Sequence, residues 1–88
     1  MKYEVVLSKD AIKSLKKMDP LLSSTIISWI EKNLKGTDDP RRKGKPLTGN
    51  YAGAWSYRVG DFRIIAEIEN NLLIIYVLEV RNRRNAYR

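Results

Sequence analysis

Histidine and cysteine are both absent from this 88-residue chain. Without cysteine there is no disulfide framework and no thiolate to act as nucleophile or metal ligand. Without either residue a zinc centre of the usual composition is excluded. Chemistry therefore falls to Arg, Lys, Tyr, Ser or carboxylates, and no metal or cofactor is expected. No run approaches the roughly 20 apolar residues that span a bilayer. No N-terminal apolar stretch resembles a signal peptide, so the sequence reads as a cytoplasmic protein without a membrane partner. Acids are scarce in one half only. Residues 1–40 hold seven bases against six acids, residues 41–88 ten against four, and the net charge is +7. That excess points to a nucleic acid or an acidic protein, although a merely soluble basic protein has the same balance.

What is present suits one small folded domain, residues 1–88, with a single modest core. Hydrophobic residues make up 43% of the chain. Residues 2–7 alternate as a strand, with Tyr3, Val5 and Leu7 on one side. Ser8 then caps a helix carrying Ile12, Leu15 and Met18. Asp19-Pro20 ends it and opens a second helix, marked by Leu22, Ile26, Trp29, Ile30 and Leu34 and closed by Lys35-Gly36. Residues 37–50 form a polar loop holding four bases, Arg41, Arg42, Lys43 and Lys45, whose length favours a functional or mobile segment. Three strands follow, at 54–59, 62–69 and 72–80, joined by two-residue turns at Gly60-Asp61 and Asn70-Asn71. The expected class is α+β, in the order β-α-α-β-β-β. A small, mainly antiparallel sheet carries a helical hairpin on one face.

Pairing across Gly60-Asp61 places Arg58 opposite Arg63, an unfavourable arrangement unless an anion binds between them. A two-residue turn at Asn70-Asn71 sets Arg63 opposite Leu78 and leaves Arg81 about 10 Å further on. Arg58, Arg63 and the tail then converge on one end of the sheet. The tail carries Arg81, Arg83, Arg84 and Arg88 with Tyr87 and no acid. The alternative is a solvated face on which each arginine pairs with Glu67, Glu69 or Glu79. An arginine cluster can offset the charge of a phosphorane during RNA self-cleavage, and Tyr87 can assist proton transfer. Trp55 and Tyr57 offer faces for base stacking, with Trp55 more naturally a core residue. Arg41, Arg42, Lys43 and Lys45 suit backbone contacts of low sequence discrimination.

Three stretches carry a family resemblance: Lys45-Pro46-Leu47-Thr48-Gly49, Trp55-Ser56-Tyr57-Arg58-Val59-Gly60-Asp61-Phe62-Arg63-Ile64-Ile65, and Val80-Arg81-Asn82-Arg83-Arg84-Asn85-Ala86-Tyr87. Together they resemble the RelE/ParE superfamily of toxins, over essentially the whole chain, and the tail is closer to RelE. The resemblance implies an endoribonuclease that cuts messenger RNA in the ribosomal A site and leaves a 2′,3′-cyclic phosphate. It implies contacts with 16S ribosomal RNA, a RelB-like antitoxin partner, and a toxin that is monomeric alone and part of a larger assembly with its antitoxin. By position it assigns catalysis to Arg63, Arg83 and Tyr87, with Arg81 a second candidate for the tail arginine. Beside it, the residues themselves suggest RNA contacts by Arg58, Lys43, Lys45, Arg41, Arg42, Arg84, Arg88 and Tyr57. Two departures stand out. Asn82 occupies a position where relatives carry histidine, and Ser56 and Tyr57 stand where RelE-type strands carry lysines. The other outcomes the sequence allows are a ParE-like toxin that poisons DNA gyrase and an inactive basic RNA-binding module.

Overall fold

The structure is a computed structural model that describes residues 1–82. Strand β1 (Glu4–Leu7) is followed by helices α1 (Lys9–Lys17) and α2 (Pro20–Asn33), then by β2 (Lys45–Pro46), β3 (Trp55–Val59), β4 (Phe62–Glu69) and β5 (Ile74–Asn82). The strands form one sheet in the order β1-β5-β4-β3-β2. β1 runs parallel to β5 and the remaining pairs are antiparallel. The α+β class and the order of the main elements match expectation. The short strand β2, inside what the sequence presents as a loop, is an addition.

The helices form where their caps place them. The Ser8 hydroxyl accepts from the Ala11 N–H at 3.0 Å and donates to the Leu78 carbonyl at 2.7 Å, so the same side chain starts α1 and ties it to β5. The Asp19 carboxylate accepts from the Leu21 N–H, with Pro20 at the first helical position. Ala11 and Leu15 from α1 and Ile26, Ile30 and Leu34 near α2 are buried against Tyr57, Ile64, Ala66, Ile75, Val77 and Val80 of the sheet. Each large apolar side chain so placed contributes roughly 1.5–3 kcal/mol relative to exposure. Ile12 and Leu22, expected in this core, remain exposed, and Ala11 beside Ile12 takes the inward position.

One of the two hairpin turns matches expectation and the other differs. The β3–β4 connection is the two-residue turn at Gly60-Asp61, with Val59 opposite Phe62 and Arg58 opposite Arg63. The β4–β5 connection takes four residues, 70–73, so that Glu69 faces Ile74, and Leu73 adopts a left-handed backbone with φ 54°. β5 accordingly starts two residues later than the apolar run suggests and extends to Asn82.

The basic loop is pinned to the sheet. The Trp55 indole donates to the Lys43 carbonyl at 2.7 Å, and the Tyr57 hydroxyl to the Pro40 carbonyl at 2.5 Å. Gly44 lies between them with φ 77°, and a Cβ there would stand 2.2 Å from the Ser56 carbonyl oxygen. Only glycine fits that approach. β2 then completes the sheet edge, with Lys45 opposite Ser56 and Pro46 opposite Trp55.

Candidate functional site

Residues paired across an antiparallel ladder share a face of the sheet, and neighbours along a strand alternate between faces. Tyr57, Ile64 and Val80 form one such row and are buried in the helix-covered core. One position along each strand, Arg58, Arg63 and Arg81 form the next row on the opposite face. Adjacent strands are about 4.8 Å apart, so three guanidinium groups rise from a strip roughly 10 Å wide. The face they share carries no helix.

Arg81 reaches this row because of a bulge. Between Ala66 and Glu69 the β4–β5 ladder pairs Ala66 with Val77 and Glu69 with Ile74, whereas beyond the irregularity at Ile65/Ala66 it pairs Ile65 with Glu79. Had the first register continued, Arg63 would face Val80 and Arg81 would turn toward the helices. The extra residue in β5 restores Val80 to the core and sets Arg81 opposite Arg63. The sequence reading put Leu78 opposite Arg63. The longer turn and the bulge correct it, and they draw the arginines closer together than expected.

The charges are only partly offset. Arg81 Nε donates to Glu79 Oε1 at 3.0 Å, while no ion pair to Arg58 or Arg63 is present among the described residues. The alternative in which every arginine has its own acid is therefore not what forms. The second Glu79 oxygen, Oε2, accepts from the Tyr51 hydroxyl at 3.1 Å, and that hydroxyl accepts from Arg81 Nη2 at 2.7 Å. The three side chains close a hydrogen-bonded ring, with the Arg81 guanidinium 5.3 Å from the Tyr51 ring centroid. Tyr51 ends a short 3-10 turn (Gly49–Tyr51) in the excursion between β2 and β3, which Leu47 and Ala54 close by a backbone bond. To meet β5 from there the phenol crosses the row of Ser56 and Ile65, both buried on a face without helices. Tyr51 has no role in the sequence reading, and Glu79 enters it only as an ion-pair partner. The available signal is that Glu79 and Arg81 share strand parity; nothing local marks Tyr51.

The other site residues divide by position. Lys45 sits in β2 opposite Ser56, on the arginine face and diagonal to Arg58. Lys43 is exposed beside the Trp55 edge. Arg41 and Arg42 lie at the far end of the sheet. Arg41 donates to Asn70 Oδ1 at 2.9 Å, and Arg42 pairs with Asp38 and Asp39 at 3.5 and 3.8 Å. Asn70 is seven residues along β4 from Arg63, roughly 23 Å of strand, so these two bases do not join the row. Tyr57 requires a correction: it is fully buried, and its face is not open for a base to stack on. Burial pushes its hydroxyl up to about 12, with Arg41 lowering it and Asp39 raising it by lesser amounts. Trp55 is partly buried against the core. Arg83, Arg84, Tyr87 and Arg88 lie outside the described residues. Among the described residues no group of His, Cys, Asp and Glu is placed to hold a metal ion, and no helix is long and apolar enough to cross a membrane.

Comparison with known proteins bears on the same chain. Residues 5–87 match the family described as ParE toxin of type II toxin-antitoxin system, parDE. Toxin RelG of Mycobacterium tuberculosis is 30% identical over 88 residues, covering 100% of this chain and 99% of the relative. The crystal structure of the toxin-antitoxin complex RelBE2 from the same organism superposes with a TM-score of 0.84 at 28% identity, over 94% of this chain and 100% of that one. The toxin-antitoxin complex RelBE of E. coli, at 15% identity and a TM-score of 0.72 over 91% of this chain and 95% of that one, shares the fold. Matched over nearly its whole length, the chain belongs to the RelE/ParE family of toxins of type II toxin–antitoxin systems.

Proposed function

We propose that this toxin is a ribosome-dependent endoribonuclease that cuts messenger RNA in the A site, inhibiting translation in the cytoplasm. The row Arg58–Arg63–Arg81 carries this reading. In-line attack by a 2′-hydroxyl builds a phosphorane with an additional negative charge, and fixed guanidinium groups offset that charge through paired N–H contacts. Arg63, at the centre of the row with no ion pair among the described residues, takes the non-bridging oxygens. Arg81 stands beside it, and Arg58 with Lys45 extends the positive face toward the flanking backbone. Arg83 and Tyr87 remain assigned by family resemblance as the tail arginine and a proton-transfer group. Lys43, Arg84 and Arg88 are backbone contacts in the same reading. A RelB-like antitoxin would neutralise the toxin by laying carboxylates over the arginine face.

The test is induced expression with pulse labelling and primer extension on an abundant message. Methionine incorporation should stop first, with new 5′ ends inside codons, and Arg63→Ala should abolish both effects while remaining folded. The family match to ParE supports a second reading, a toxin that poisons DNA gyrase and uses the arginine face to bind protein. Early loss of thymidine incorporation with intact messages would establish that reading and end the first.

A further inference from the structure

We infer that Glu79 is the proton acceptor of the arginine face, aimed by Arg81 and Tyr51; this rests on the nuclease reading above. An RNA-cleaving site needs a group that takes the 2′-hydroxyl proton at neutral pH. Arginine does not serve, since it stays protonated. Tyr57 is buried on the other face with its hydroxyl engaged by Pro40. The positions at which the family resemblance implies a histidine or strand lysines read Asn82, Ser56 and Tyr57 here. Glu79 occupies the row adjacent to the arginines, opposite Ile65, and is bonded directly to Arg81.

The ring gives this carboxylate the features of an oriented base. Each oxygen accepts one hydrogen bond, Oε1 from Arg81 and Oε2 from Tyr51, and each keeps a further lone-pair site. The side chain retains 31% exposure, so a substrate hydroxyl can reach it. Arg81 uses two N–H groups in the ring, leaving three of its five donors for a phosphate. A phosphate on those donors lies next to the carboxylate that would accept the proton. Nucleophile, base and orienting groups thus fall in the sequence expected of an activated hydroxyl.

In the step, O2′ forms a bond to phosphorus as its proton passes to a Glu79 oxygen. The P–O5′ bond breaks with its electron pair on O5′, which takes a proton from water. The products are a 2′,3′-cyclic phosphate and a 5′-hydroxyl, and Glu79 returns its proton to solvent. Tyr51 is a positioning residue that fixes the carboxylate and the guanidinium relative to each other.

The test uses the full chain on ribosomes programmed with a short message, measuring single-turnover cleavage and, separately, binding to a message with a 2′-deoxy nucleotide at the cut site. Glu79→Gln keeps an acceptor oxygen for Arg81, turns a donor amide toward Tyr51 and loses the base. Its cleavage should fall about 100-fold or more, with analogue binding within about twofold of the parent. Glu79→Ala should regain cleavage in formate and not in chloride at equal ionic strength, which a merely structural role would not produce. Tyr51→Phe should lower kcat with KM retained. If the parent cleaves and Glu79→Gln cleaves equally, or if the rate falls only in step with binding, the base assignment is overturned while the nuclease reading stands. A parent that never cleaves ends both.

Discussion

One of the two side-chain bonds that pin the basic loop comes from a buried phenol. Tyr57 is fully buried and donates to the Pro40 carbonyl, which belongs to a buried residue of that loop. Replacing it by Phe orphans that carbonyl and should cost about 1–3 kcal/mol at neutral pH. The pH dependence has a definite sign. Desolvation holds the hydroxyl up at about 12 in the folded chain, against roughly 10 when unfolded. The folded state therefore keeps its proton after the unfolded state has lost it. Stability from this group is complete below pH ~10 and is lost as pH rises toward ~12, by at most about 2–3 kcal/mol. Urea unfolding from pH 8 to 11.5 should show the advantage of the parent over Tyr57→Phe shrinking across that window. Contributions common to both proteins cancel in the difference. An advantage constant with pH would mean that the hydroxyl is not desolvated.

At the level of elements, the sequence was legible where one residue type has one use. Ser8 and Asp19-Pro20 located both helix starts, and Gly60-Asp61 fixed the Arg58–Arg63 pair. The β4–β5 hairpin was less legible. Asn70-Asn71 has turn chemistry, but the connection continues through Leu72 and Leu73, and apolar residues in a turn look like strand. The bulge at Ile65/Ala66 leaves no mark in composition either, because it falls within the apolar runs Ile64–Ala66 and 74–78, where parity cannot be read. Arg58, Arg63 and Arg81 do converge at one end of the sheet as expected, but with another cross-strand neighbour for Arg63. Tyr51 was missed because its contacts lie 28 and 30 residues away in sequence. The row that results has a cost of its own. Like charges directly opposite on a sheet destabilise by up to about 1 kcal/mol. Arg58→Gln should thus raise the urea midpoint slightly at low salt while weakening RNA binding. A fall in stability instead would make Arg58 a structural residue.

For the whole molecule, the net charge of +7 is not spread evenly over the surface. Arg58, Arg63, Arg81 and Lys45 share one face, and only one of them is answered by an acid among the described ion pairs. Arg41 and Arg42 sit at the other end of the sheet, held by Asn70, Asp38 and Asp39. Each of these bases adds one unit to the formal charge, but they should not act equally on a polyanion. Binding to single-stranded RNA releases counterions in proportion to the phosphates neutralised, with a slope of about 0.7 in log K against log salt for each. Arg63→Ala should lower that slope by about this amount, measured by fluorescence anisotropy of a short oligonucleotide through a salt series. Arg42→Gln should leave it unchanged, because its charge is already compensated by two carboxylates. If Arg42→Gln lowers the slope as much as Arg63→Ala does, the strand must run from the arginine row to the far loop. The RNA footprint would then cover the length of β4 rather than one end of the sheet.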